Sequence, residues 1–208
     1  MIRKPIEIES LDCIKLLYMS GPSMFRYFLI DGEPEIYKYI KMFYTKPDIL
    51  FSKEYCYVKI DNGKVCGLLH AMSITEMKQM EKNMFKYGKE FFNTMGFTNL
   101  MKILFRSGIN KYLSVLYKED EYYISNLAVF EVCRGKGFCL ELLQKAEELA
   151  KENGYKKLSL CVELYNGNAK RIYEKFGFCP TEKVELPSKY HKYSIDGFYK
   201  MVKMLDLG

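Results

Sequence analysis

The segment Arg134-Gly-Lys-Gly137 combines two glycines with two basic residues, a composition suited to binding a phosphate group. Backbone N–H groups at the start of a helix have no partner within the helix and lie at the positive end of its dipole. Glycine keeps side-chain bulk away from such donors, while Arg134 and Lys136 add positive charge. These residue types predict a cradle for a pyrophosphate. A simple glycine turn is the alternative that the segment alone leaves open.

The flanking segments supply the strand and the helix that such a cradle requires. Tyr122 to Phe130 is a nearly continuous apolar and β-branched run, which predicts a strand buried on both faces. After Gly137, apolar residues recur at the spacing of one helix face, and Asn153-Gly154 would end that helix. Glu141–Lys145 and Glu147–Lys151 are predicted ion pairs across one helical turn. The apolar positions are Cys139, Leu142, Leu143, Ala146, Leu149 and Ala150.

A second strand and helix follow directly. Alternating apolar residues from Lys157 to Tyr165 predict a strand, and Asn166-Gly-Asn168 predicts a turn. Ala169 to Phe176 has helical apolar spacing that includes Tyr173, and Gly177 would end the helix. The order strand, helix, strand, helix is typical of an α/β fold.

Four sequence pieces in this region resemble the GCN5-related N-acetyltransferase (GNAT) family. They are Leu127-Ala-Val129, Arg134-Gly-Lys-Gly137, Asn166-x-x-Ala169 and Tyr173-Glu-Lys-Phe-Gly-Phe178. Four pieces in the right order, over roughly residues 122 to 178, are much more specific than any one of them. One departure is visible, because Cys139 stands where the family's phosphate loop has glycine or alanine. The resemblance implies a mixed, centrally splayed sheet with helices on both faces.

The resemblance also implies an activity, the transfer of an acetyl group from acetyl-CoA to an amine of a small molecule or a protein. The amine would attack the thioester directly, without a metal. The implied cofactor-binding residues are Leu127, Val129, Arg134, Gly135, Lys136, Gly137, Phe138, Cys139 and Asn166. Tyr173 would give its proton to the departing thiolate. Asn166 could equally cap a helix, and Tyr173 could equally be a core residue.

The general base and the function class are left open. Glu119, Asp120 and Glu121 precede the cofactor-binding strand, Glu163 lies in the neighbouring strand, and ordered water is a further candidate. A catalytically silent CoA-binding sensor or scaffold is one alternative to an enzyme. The second alternative is a protein of the same fold that binds another ligand, which the departure from the family pattern at Cys139 leaves open.

A dinucleotide-binding fold is the competing interpretation of the glycine pair. Its fingerprint requires a third glycine three residues on, where Leu140 stands. Its glycines also follow the strand directly, whereas residues 131–134 intervene here. Both differences favour the acetyltransferase interpretation.

The composition restricts the domain number, the cysteine chemistry and the location that we expect for the protein. The chain has 208 residues, 49% of them hydrophobic, so we expect a single domain with a substantial core. Seven cysteines without a Cys-x-x-Cys spacing predict reduced thiols rather than a disulfide framework or a zinc site. The sequence shows neither a membrane-length apolar run nor a signal-peptide core, so we expect a cytoplasmic protein without a membrane partner.

Charge and histidine content exclude further classes. A net charge of +6 without a sustained basic block is compatible with an anionic cofactor and does not predict nucleic-acid binding. The two histidines, His70 and His191, make a histidine-based hydrolase or metalloprotease a poor match. His70 is expected to be structural, because it falls in an apolar strand.

The first part of the chain is predicted to alternate short elements. Residues 2–8 are predicted as a strand, 11–29 as helical with a break at Gly21-Pro22, and 33–43 as a second helix. Asp61-Asn-Gly63 predicts the turn of a hairpin between residues 55–60 and 64–71.

Two segments lie outside the family pattern. Ser73 to Tyr117, called the insert below, predicts two or three helices with breaks at Gly88, Gly96 and Gly108. It could add core packing, cover a substrate or form the face of a homodimer. The segment from Cys179 to Leu207 contains tyrosines at 190, 193 and 199 beside His191, and a last strand from Phe198 to Met204. We expect the insert and the tyrosine loop (residues 190–199) to bound the acceptor site.

Overall fold

The computed structural model describes residues 1–29 and 32–206, and in them a seven-stranded mixed sheet carries helices on both faces. The predicted fold class is therefore confirmed. The order of strands across the sheet is β1-β2-β3-β4-β5-β7-β6. The strands are β1 (Ile2–Arg3), β2 (Cys56–Asp61), β3 (Lys64–Ser73), β4 (Tyr122–Val129), β5 (Lys157–Glu163), β6 (Cys179–Glu185) and β7 (Gly197–Met204). Leu207, the end of the predicted last segment, lies outside the described residues.

The helices fall into two layers and an elaboration. α7 and α8 pack on one face of the sheet, and α1 to α3 pack on the other. α4 to α6 form the insert. The helices are α1 (Ser10–Ser20), α2 (Pro22–Leu29), α3 (Glu33–Tyr44), α4 (Ile74–Asn83), α5 (Gly88–Arg106), α6 (Asn110–Leu113), α7 (Phe138–Glu152) and α8 (Gly167–Lys175).

Several local patterns produce the predicted elements. The hairpin of β2 and β3 turns at Asn62 and Gly63, whose φ angles of 48° and 73° are those of a tight left-handed turn. The break between α1 and α2 falls at Gly21-Pro22 as predicted. In the insert, Gly96 interrupts α5 with φ 75° and ψ 164°, a conformation that glycine adopts without strain.

The sheet opens between β4 and β5, its one parallel strand pair within the described residues. These strands pair only from Tyr122↔Leu158 to Ile124↔Leu160, although both continue further. The prediction that Tyr122 to Phe130 is buried on both faces is therefore right for the start of β4 and wrong for its end. From Leu127 onward the strand is partly exposed, because no neighbouring strand covers that edge.

Three local predictions need correction or comment. β1 ends at Arg3 rather than residue 8, because Arg3 turns to pair with Glu9 at 2.7 Å and a short helical turn follows. Glu141 pairs with Lys59 at 2.5 Å instead of Lys145. The predicted pair of Glu147 and Lys151 is present at 2.9 Å.

β6 was not predicted at all. It is an edge strand with little burial, and its sequence contains Pro180 and alternating charges that conceal a strand pattern.

Candidate active site

The loop before α7 has the conformation that its glycines suggest. Gly135 and Gly137 adopt φ angles of 78° and 80°, and Gly137 is the residue from which α7 starts. A Cβ atom at either position would meet no other atom within 4 Å, so open space lies in front of the loop. A ligand can therefore approach the backbone closely at both positions.

The same loop presents a run of backbone donors. Arg134 donates to the Glu131 carbonyl at 3.1 Å, and the next loop hydrogen bond is from Leu140 to the Gly137 carbonyl at 2.9 Å. Among the described residues, the intervening N–H groups at 135–139 have no acceptor. Together with the dipole of α7, these groups have the chemistry that suits an anion such as a phosphate.

The side chains of the predicted phosphate loop differ in their surroundings. Arg134 is exposed, and Lys136 lies 3.3 Å from Asp61. The Phe138 ring is buried, so this residue offers its backbone rather than its side chain to a ligand. Cys139 is partly buried, and burial raises the pKa of its thiol to about 11, so the thiol is neutral near pH 7. The loop thus accommodates Cys139 at the position where the family has glycine or alanine.

The free edge of β4 supplies the next group of donors. Phe130 donates to the Cys66 carbonyl at 2.9 Å, which sets the alternation of the β3–β4 ladder. In an antiparallel ladder, hydrogen-bonded and non-bonded pairs alternate, so the backbone groups of Leu127 and Val129 point away from β3. They face the gap left where β5 has separated from β4.

Tyr173 lies on the α7–α8 face of the sheet, against the apolar cluster that α7 forms with the strands. Its ring centroid is 6.0 Å from that of Phe178, which matches the expected core packing. Its hydroxyl makes no hydrogen bond to any described residue. Burial, and secondarily the nearby Cys139 thiol, raise the pKa of Tyr173 above its usual range, so the phenol remains protonated.

A cavity of about 440 Å³ lies at the end of β5. Its walls come from the junction of α1 and α2, from the end of β5 and from the start of α8. Asn166 lines it, while its side chain also accepts a hydrogen bond from the Ala169 N–H at 3.2 Å. Asn166 is thus a helix cap whose position borders a cavity.

The corner between α1 and α2 spans the opening in the sheet. Asn126 of β4 donates to the Ser20 hydroxyl at 2.7 Å, and Ser23 lies 2.9 Å from the hydroxyl of Tyr165, just after β5. Sequence reasoning missed Ser20, Ser23 and Tyr165. The break at Gly21-Pro22 was the one signal, since it requires the chain to turn there.

Glu163 stands apart from the other carboxylates considered as bases. It accepts a hydrogen bond from Tyr165 through Oε2, whereas Oε1 is buried and has no partner among the described residues. Burial raises the pKa of Glu163, opposed in part by the Tyr165 and Ser23 hydroxyls. The result is a carboxylate with one free oxygen at the wall of the cavity.

The acidic residues before β4 lie at the other end of the sheet, and each of them makes an ion pair. Glu119 pairs with Lys78 at 2.7 Å, Asp120 pairs with Lys157, and Glu121 pairs with the buried Lys200. These pairings satisfy the three carboxylates away from the opening between β4 and β5.

Comparison with known families decides the identity. The sequence profile of the acetyltransferase (GNAT) family matches residues 24–178. This chain belongs to the GNAT family. The resemblance in the sequence is thereby confirmed, and the profile reaches well before the motif region, into α2.

Relatives with N-acetyltransferase names are consistent with the assignment to the GNAT family. Two GNAT relatives from Bacillus subtilis (strain 168), the uncharacterized N-acetyltransferases YycN and YdgE, are 34% identical to the chain over 68 and 70 residues. These matches cover 33% and 34% of the chain and 44% and 45% of the relatives, so they span less than half of either protein.

Solved structures extend the likeness to the whole fold. An N-acetyltransferase from Staphylococcus aureus Mu50 aligns over 97% of this chain and 99% of its own, with a TM-score of 0.67 and 23% identity. A GNAT acetyltransferase from Elizabethkingia anophelis, solved with acetyl-CoA bound, aligns over 99% and 97% with a TM-score of 0.52 and 16% identity. At these identities the likeness concerns the fold.

Residues 1–29 and 32–206 contain no group of three or more His, Cys, Asp or Glu side chains that could hold a metal ion. Over the same ranges, no helix has both the length and the apolar content for crossing a membrane.

Proposed function

We propose that this GNAT chain is an N-acetyltransferase that moves an acetyl group from acetyl-CoA to the amine of a small molecule or protein by direct attack. The observation that carries the proposal is the opening between β4 and β5. Free backbone groups of Leu127 and Val129 line one side of it, and Glu163 borders it on the other. All seven cysteines are free thiols, which fits a reducing compartment such as the cytoplasm.

The residues present fit the donor. The unpaired N–H groups at 135–139 would take the pyrophosphate, with Arg134 and Lys136 adding charge. The backbone of Leu127 and Val129 would hold the pantetheine arm and polarise the carbonyl by electrostatic preorganisation. Bound there, acetyl-CoA would supply a thioester that an amine can attack without a covalent enzyme intermediate.

Glu163 would act as the general base. An amine attacks only when it is neutral, so a proton must leave it before or during attack. The free Oε1 of Glu163 is an acceptor at the cavity wall, and a raised pKa makes the carboxylate a stronger base than an ordinary glutamate. Tyr165, hydrogen-bonded to Oε2, would fix the orientation of the carboxylate.

Tyr173 would act as the general acid. It lies on the sheet face that also carries the start of α7, near Cys139, whereas Glu163 borders the cavity beneath the α1–α2 corner. Its protonated hydroxyl, free of protein partners, could donate to the departing thiolate. Base and acid would thus act from opposite sides of the opening, the base on the amine and the acid on the departing thiolate.

The experiment is a thiol-release assay of the purified protein with acetyl-CoA and a panel of amines, amino acids, peptides and aminoglycosides. We expect release that depends on at least one amine, with the acetylated amine identified by mass spectrometry. Absence of amine-dependent release across the panel by a protein that binds acetyl-CoA would instead support a silent sensor or scaffold.

A further inference from the structure

A second cavity, of about 280 Å³, lies between α2, the end of the insert and the tyrosine loop. The structure therefore joins the two segments that the family pattern does not explain. Tyr190 and Tyr193 of the loop pack in one apolar cluster with Tyr27 of α2 and with Ile109 and Leu113 of the insert. Tyr199, by contrast, lies in β7 and packs on the α8 side.

Arg106 is held in place at this second cavity. Its guanidinium carbon lies 5.2 Å from the Tyr27 ring centroid and 4.9 Å from that of Tyr193. Its Nη1 donates to the Tyr27 carbonyl, and Nη2 lies 3.3 Å from the Tyr193 hydroxyl. The Tyr27 hydroxyl donates back to the Arg106 carbonyl at 3.1 Å. Packing between two rings preorganises the guanidinium at the cavity wall.

The positive charge of this cavity is uncompensated. Four of its lining residues are cationic, and none of the lining residues is acidic. Within the described part of the chain, none of the four makes an ion pair, although lysines elsewhere commonly do. The four are Arg106, Lys111, Lys189 and Lys192. A concave surface with one sign of charge attracts ligands of the opposite sign.

Helix α2 borders both cavities. Ser23 and Tyr27 are four residues apart on α2, so they share a face and are separated by about 6 Å, one helical turn. Ser23 contacts Tyr165, which lines the first cavity beside Glu163. Tyr27 contacts Arg106, which lines the second.

We propose that the acceptor is an amine that carries an anionic group, with the amine at Glu163 and the anion in the second cavity. This inference rests on the proposed acetyltransferase function and adds a substrate class to it. The anion is a carboxylate or phosphate, since those groups match a guanidinium flanked by ammonium groups. A short acidic peptide with a free N-terminus and a small amino acid derivative share this chemistry.

Matched acceptors test the proposal. In the presence of CoA, we would titrate the tripeptide amides Ala-Glu-Glu, Ala-Gln-Gln and Ala-Lys-Lys, and the small pair 4-aminobutyrate and butylamine, and also assay each for acetylation. We expect the acidic member of at least one set to bind at least about tenfold more tightly, with a difference that shrinks at high salt. The set that responds identifies a peptide or a small molecule as the source.

The outcomes separate this proposal from the proposed function. Equal affinity for acidic and neutral members in both sets overturns the anionic acceptor, even if neutral amines are acetylated. Tight binding of an acidic member without acetylation of any amine supports the anion site and contradicts the enzyme.

Charge reversal provides a second test. Lys189→Glu with Lys192→Glu should raise KM for the preferred acidic acceptor roughly tenfold, because each change replaces a surface attraction by a repulsion. Lys38→Glu with Lys156→Glu is the matched control, since both lysines are exposed and make no ion pair among the described residues. An equal loss in both double variants would show a non-specific effect of net charge and overturn the proposal. Circular dichroism establishes that both variants are folded.

Discussion

Replacing Gly137 by tryptophan tests the phosphate loop. In Gly137→Trp, a large side chain would occupy the open space in front of the N–H groups at 135–139. If the change removes two charge-assisted hydrogen bonds, each worth about 1.5–3 kcal/mol, the loss is about 3–6 kcal/mol. At about 1.4 kcal/mol per tenfold, CoA affinity should fall by about 10²- to 10⁴-fold.

The structure also shows a cost that is unrelated to the ligand. Gly137 has φ 80°, and a residue with a side chain is strained there by about 1–2 kcal/mol. Gly154 has φ 77° and equally open surroundings, so Gly154→Trp carries the same strain. Gly154 follows the end of α7, whose 15 residues span about 22 Å from the loop.

The assay is calorimetric titration of both variants with CoA, with thermal unfolding measured alongside. We expect both variants to lose similar stability, and Gly137→Trp alone to lose CoA affinity. If Gly137→Trp binds CoA within threefold of the wild type, or if both variants weaken equally, the loop does not bind the pyrophosphate.

Two further predictions concern proton transfer, and each has its own control. Tyr173→Phe keeps the ring packed against Phe178 and should lower kcat by ~10²–10⁴ at unchanged CoA affinity. Its control is Tyr155→Phe, in the same apolar cluster at the other end of the sheet, which should leave kcat unchanged. A change under threefold for Tyr173→Phe, with chemistry rate-limiting, would make Tyr173 structural. Because Glu163 must be ionised to act as a base and its pKa is raised, kcat/KM should fall as pH drops through a value above the ordinary 4.5. Glu163→Gln should abolish this fall of kcat/KM at low pH and lower kcat/KM itself by ~10²–10⁴, whereas Asp120→Asn should do neither. If the fall at low pH persists in Glu163→Gln, another group is the base.

Local patterns were sufficient for many elements. The helical spacing after Gly137 predicted α7, and Asn62-Gly63 predicted the hairpin, because both depend on residues close together in the chain. β6 was not predicted, because an exposed edge strand need not show alternating apolar residues and because Pro180 is atypical of a strand.

The site depended on contacts between distant residues. The sequence alone could not choose between Asp120 and Glu163 as the base, since the choice depends on Lys157 pairing with one and not the other. The contact between Ser23 and Tyr165 joins residues 142 positions apart, which no local pattern reports. The opening between β4 and β5 was expected from the family resemblance, not from residue spacing.

The most direct measurement of the central claim is a calorimetric titration of the folded wild-type protein with acetyl-CoA. The account predicts saturable binding at one site per chain that CoA displaces, because the proposed function assigns the loop before α7 and the free edge of β4 to one donor site. No heat of binding from a protein that is folded by circular dichroism would contradict both the acetyltransferase and the silent CoA-binding alternative.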